Sequence, residues 1–168
     1  ASEAATIVRA QEVASVDRVI RDRAKPFMVA EVSAAESWCR EAGVDFGVSL
    51  LDELDELGVV WLDRSWFWAR EAEYQQRGPL AHLIRTMLSV SHPRAMDAEL
   101  LWGGVRRRAT FRKVPFTMTP DVIRLFCERH PAFEVAGRLV RSAEPLNPEN
   151  FLAGTDLVFF RAFEAAGL

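Results

Sequence analysis

Cysteine is scarce in this chain: only Cys39 and Cys127 are present, far apart in sequence. Both suit reduced, half-buried helix positions better than a disulfide. The three histidines, His82, His92 and His130, stand alone and share no metal-ligand spacing with either cysteine. No metal or cofactor site is therefore expected. No apolar run approaches the roughly 20 residues that a membrane span requires. The N-terminus lacks the basic-then-apolar order of a secretory signal, so a soluble cytoplasmic protein with no membrane partner is expected.

Signatures of catalysis are missing too. Ser89-Val90-Ser91-His92 sets hydroxyls beside an imidazole, but neighbours in sequence rarely form a triad and no orienting acid follows. Gly103-Gly104 has neither the preceding strand nor the lysine of a phosphate loop. The acids Asp52, Glu53, Asp55 and Glu56 lack the glycine of a calcium loop. The expectation is a chain with no catalytic residues, not an enzyme.

What the chain has is segregated charge. Residues 31–63 hold nine acids and one base, Arg40, whereas residues 94–141 hold ten bases and five acids. The total of −3 hides both blocks. Such asymmetry points to two modules with different partners, of which only the second suits a polyanion. With 168 residues, 49 % of them hydrophobic, the chain can bury one ordinary core or two small ones.

The order of elements favours two. Residues 4–24 read as a helix carrying Ile7, Val8, Val13, Val16, Val19 and Ile20, and Pro26 ends it. Phe27-Met28-Val29 is a short extended piece, and Ser33-Ala34-Ala35-Glu36 is a capping box opening a helix that closes at Gly43. Ser49 caps a third helix that stops at Gly58, and residues 59–70 read as a hairpin. The same order recurs. Leu80–Val90 is an amphipathic helix, and Asp97 caps another through about Arg107. Thr119-Pro120-Asp121 opens a third that ends at Pro131, and residues 133–141 form strand, turn and strand. The residues from Val105 to Met118 read as a long connection between the second and third helices of this copy. One irregular helical domain is the competing reading. After Pro145, two short helical segments either close the second module or begin a third.

Function is carried by few residue types. Arg106, Arg107, Arg108, Arg112 and Lys113 place five cations within nine positions. Clustered cations gain affinity for nucleic acid because each neutralised phosphate releases counterions. Arg124 and Arg129 lie on the helix that Thr119 opens, and Arg138 and Arg141 lie on the following hairpin. By contrast, residues 50–57 carry four acids and no base, so that helix would be repelled by phosphate and is expected to support the fold, bind a protein or pack against a basic neighbour. Trp61, Trp66 and Trp68 crowd the first hairpin. Trp66 and Trp68 are expected on one face, with an indole at an interface between modules or partners, and core packing of these rings is favoured over base stacking.

The segment from Leu80 to Arg108, the Thr119-Pro120 helix start and the turn at Gly137 resemble winged helix-turn-helix modules of bacterial sigma-factor-like regulators. They are also similar to the HARE-type helix-turn-helix shared by restriction enzymes and chromatin proteins. The resemblance covers roughly residues 79–147 and implies binding to DNA or to the transcription machinery. The acidic first module departs from that pattern.

The expected fold is mainly α with short β-hairpins, a tandem winged helix-turn-helix. Residues 1–76 form an acidic module, 77–145 a basic one and 146–168 a C-terminal helical segment. The basic module is expected to bind double-stranded DNA through Arg106, Arg107, Arg108, Arg112, Lys113, Thr119, Arg124, Arg129, Arg138 and Arg141. The runner-up is a protein-interaction adaptor using residues 49–69. A start at Ala1 and a stop at Leu168 suggest a piece of a longer protein, so a regulatory part of a larger enzyme is a third reading.

Overall fold

The computed structural model describes residues 2–46, 49–70 and 78–167. The chain is mainly helical, with two small antiparallel three-stranded sheets. It divides into two compact units, Ala1–Gln75 and Gln76–Leu168. The module boundary expected at 76/77 lies outside the described residues, and residues 146–168 group with the second unit.

Unit 1 runs α1 (Ser2–Arg23), β1 (Val29–Glu31), α2 (Val32–Glu41), α3 (Leu50–Glu56), β2 (Val60–Trp61) and β3 (Trp66–Trp68). Of the apolar stripe expected on α1, Val16 and Ile20 are buried one turn apart, while Ile7 and Val8 are exposed. Among the described residues of α1, the buried side chains thus lie in its C-terminal half. The extended piece begins at Val29, later than expected. Helix α2 follows it without a break, starting at Val32 and not at a Ser33 capping box. The cause is tertiary: the Val32 N–H donates to the Ser65 carbonyl at 2.8 Å in the hairpin turn. That bond satisfies one of the orphan N–H donors at the helix start. Ser49 sits at the N-cap of α3 without a side-chain capping bond. The sheet order is β1-β3-β2, with Val29 opposite Trp68 and Trp61 opposite Phe67.

Unit 2 repeats that order with α4 (Pro79–Ser91), β4 (Met96–Asp97), α5 (Ala98–Phe111), α6 (Pro120–Arg129), β5 (Phe133–Ala136) and β6 (Leu139–Ser142). Its sheet order is β4-β6-β5, again with the first strand paired to the last. The hand-off from strand to helix is also repeated, since the Ala98 N–H donates to the Arg138 carbonyl at 2.9 Å. Gly104 of α5 lies against the Met87 thioether of α4, which would have to shift to admit a Cβ there. Helix α6 opens as its sequence signals. Thr119 Oγ1 accepts the Val122 N–H at 3.3 Å, Pro120 takes the first position, and Val122, Ile123, Phe126 and Cys127 face the core. His130 ends it, buried between the rings of Phe126 and Phe133.

A 3-10 turn (Pro148–Asn150) and α7 (Thr155–Ala165) complete the unit. No described residue of α7 is buried, and Val158, Phe159 and Phe163 are exposed.

Candidate nucleic-acid interface

Helix α5 extends to Phe111, beyond the end expected at about Arg107, so Arg108 to Phe111 are helical and not part of a connection. The reason is a continuous apolar stripe: Ala98, Leu101, Val105 and Ala109 recur at spacings of three and four, and all are buried. With about 100° per residue, the three arginines after Val105 fan over the outward side of the helix. Arg107 and Phe111 share one line along it, and Arg108 and Arg112 share the next.

A Schellman motif closes the helix. The Lys113 N–H donates to the Thr110 carbonyl at 3.1 Å, and the Val114 N–H donates to the Ala109 carbonyl at 2.9 Å. Lys113 therefore holds φ at 55°, a left-handed position that favours glycine. Trp102 anchors the chain beyond. Its Nε1–H donates to the Met118 carbonyl at 2.7 Å, and its ring lies 6.4 Å from that of Phe116. The Arg106 guanidinium is placed 5.3 Å from the Trp102 ring centroid.

Arg106, Arg107, Arg108, Arg112 and Lys113 are all exposed. Among the described residues, none of the five joins an ion pair with a carboxylate. Their mutual repulsion is offset in part by the negative end of the α5 dipole. The result is an open concentration of positive charge at one helix end.

The other expected contacts are arranged differently. Arg124 is only 26 % exposed and lies between Asp121, at 2.8 Å, and Glu128 on its own helix. The Asp121 hydrogen bond, foremost, holds its guanidinium above even the usual arginine range. Arg138 reaches Glu99 at 3.0 Å and Asp97 at 3.4 Å. Arg141 pairs with Glu134 across the hairpin. Arg129 is exposed and joins no ion pair among the described residues. The Thr119 hydroxyl is engaged in capping. The expected ten-residue surface thus divides into five cations without a carboxylate partner among the described residues at the end of α5, with Arg129, three internally paired arginines and the capping Thr119.

The aromatic hairpin needs a correction. Trp66 and Trp68 are 8 % and 7 % exposed, and Phe67 between them is buried as well. Strand β3 is the central strand of its sheet, and both of its faces are covered, so alternation does not present an indole outward. Trp61 is half-buried and donates from Nε1 to Asp55 Oδ1 at 2.7 Å. The partner role expected of Trp66 and Trp68 has no exposed ring to carry it.

Groups with other chemistry are engaged or shielded. The Ser89 hydroxyl donates to the Thr86 carbonyl, and Ser91 contacts the Leu88 and Arg94 carbonyls. Burial raises the Cys39 and Cys127 thiols above their ordinary range, which suppresses the reactive thiolate. No group of three or more potential metal ligands occurs among the described residues. None of their helices is long and apolar enough to cross a membrane.

Phe111 was passed over in the sequence reading. At 80 % it has the highest exposure of the large apolar side chains among the described residues, and it sits inside the cation cluster. Its position was legible, because the Leu101-Val105-Ala109 stripe places residue 111 on the outward side of α5. No protein-family model, curated protein or solved structure matches this chain.

Proposed function

We propose that both units are winged helix-turn-helix modules and that the second binds duplex DNA through its phosphate backbone. The module reading rests on the repeated order of helix, strand, two helices and hairpin, with the first strand against the last in each sheet. One observation supports the ligand above all others: five exposed cations at the end of α5 without a carboxylate partner among the described residues. Each phosphate that they neutralise releases condensed counterions, so the surface gains affinity that falls with salt.

The contact is mainly positional. Phosphate contacts fix register and orientation and carry no direct sequence information. Helix α6, which would read base edges in the usual geometry of this fold, presents Asp121 and Glu128 with Arg124 held between them. It opposes close approach to phosphates and leaves Arg129 as its free cation. The ion pairs of Arg138 and Arg141 are exposed and worth at most about 1 kcal/mol each. Phosphates can therefore recruit these two arginines as secondary contacts.

Replacing Arg106, Arg107 and Arg108 with alanine tests this reading. In fluorescence anisotropy with several unrelated duplexes of equal length, binding is expected to weaken by a similar factor on all of them. Wild-type affinity in the triple variant would overturn the assignment.

A further inference from the structure

We infer that Phe111 is a base-contacting residue of this surface, an apolar ring that stacks on an unpaired nucleobase. The inference rests on the DNA-binding reading and adds a preference for duplex DNA interrupted by unpaired bases.

The observations are local. Phe111 is 80 % exposed, in the last turn of α5. Arg107 lies one turn before it along the same line of the helix, Arg108 is on the adjoining line, and Arg112 and Lys113 follow directly. A planar apolar ring surrounded by cations complements a ligand that combines negative charge with flat apolar faces. Nucleic acid with accessible bases has that chemistry, and proteins that bind single strands pair a basic groove with stacking aromatics.

The surroundings disfavour other partners. A membrane-binding helix carries a continuous apolar face, and a stable protein interface buries about 800 Å² on each partner. Phe111 has no exposed apolar neighbour within a turn of α5. The next such side chain on that helix is Leu100, about 16 Å away at 1.5 Å per residue. Phe116 is half-buried and turned to Trp102. A single ring matches the area of a base. Intact duplex buries its base faces in the stack, so the ring can act only where a gap or flipped nucleotide exposes one.

The test uses the full chain and two DNA probes of equal length. One is fully paired, and the other has a three-nucleotide gap with 2-aminopurine in the unpaired stretch. The wild type is expected to bind the gapped probe about tenfold more tightly, with a change in 2-aminopurine emission. Phe111→Ala should erase both the preference and the emission change while keeping the affinity and salt slope for paired DNA. Phe111→Trp should restore both. Equal wild-type affinity for the two probes, or a preference that survives Phe111→Ala, overturns the inference and leaves the backbone-binding reading standing. Failure of the wild type to bind either probe overturns both.

Discussion

The two units build one topology from unrelated residues and dress it with opposite charge. In unit 1 the second helix ends at Gly43, with φ at 66°, and in unit 2 the corresponding helix ends at Lys113, with φ at 55°. Both ends close with the same pair of backbone bonds, Gly43 to Arg40 and Val44 to Cys39 in the first, Lys113 to Thr110 and Val114 to Ala109 in the second. Strand passes to helix through one N–H bonded to the hairpin in each unit. The third helix of unit 1 carries four acids and no base, whereas the second helix of unit 2 ends in free cations. The scaffold is thus fixed by apolar spacing and backbone bonds, and the surface is free to diverge. A lysine occupies a position where glycine costs less. Backbone strain of that kind points to a use for the side chain.

Each unit holds one buried thiol, Cys39 on α2 and Cys127 on α6, so their chemistry can report on the two units separately. In native protein at neutral pH, both are expected to react with an aromatic disulfide reagent orders of magnitude more slowly than in denaturant. Mass mapping of the two sites along a denaturant series will show whether the units open together. Both thiols are shifted upward by burial, so the unfolded chain loses these protons first as pH rises. Stability from this source is unaffected below the ordinary thiol pKa of about 8.5 and declines above it. A midpoint that rises between pH 8 and 10 in wild type, relative to the Cys39→Ala, Cys127→Ala variant, would contradict this.

Exchanging the helix-closing residues is a direct test of the comparison. Lys113→Gly should stabilise the protein by about 1 kcal/mol by relieving the left-handed strain. It should also weaken duplex binding and reduce the salt slope by about 1. Gly43→Lys should destabilise by a similar amount, about 1 kcal/mol, with no gain in DNA affinity. Urea denaturation and anisotropy titration read the two effects. Stabilisation without loss of binding would show that Lys113 is not a contact.

The smallest effect is expected at the wing. Glu99→Gln removes one of the two carboxylates that hold Arg138 and should change stability by no more than about 0.5 kcal/mol. Duplex binding should tighten two- to threefold at low salt, roughly the gain from one more available phosphate contact. An unchanged affinity would mean that Arg138 lies away from the DNA.

Locally encoded features were legible in the sequence. Pro79, Asp97 and Thr119-Pro120 mark helix starts whose signals lie within a few residues, and all three helices begin there. The Asp121–Arg124–Glu128 pairing was legible as well, at helical spacings of three and four. Two features required partners distant in sequence. The start of α2 depends on Ser65, and the restraint on Arg138 comes from Glu99 and Asp97 on elements that only the fold brings together. The burial of Trp66 and Trp68 follows from the insertion of β3 between β1 and β2, which residue alternation cannot convey. The longer α5 was an error of weighting. Val105 and Ala109 continue the core stripe and arginine is a good helix former, so the helix signals run past the end expected at about Arg107.

The most direct measurement is the salt dependence of duplex binding in two variants that each remove cations from unit 2. In the Arg106→Ala, Arg107→Ala, Arg108→Ala variant, the slope of log K against log salt should fall by roughly 0.9 for each phosphate contact removed. In the Arg138→Ala, Arg141→Ala variant, which removes only secondary contacts, the slope should fall by less than in the first variant. The reverse ranking, a wild-type slope in the first and a flattened one in the second, would contradict the placement of the polyanion surface at the end of α5.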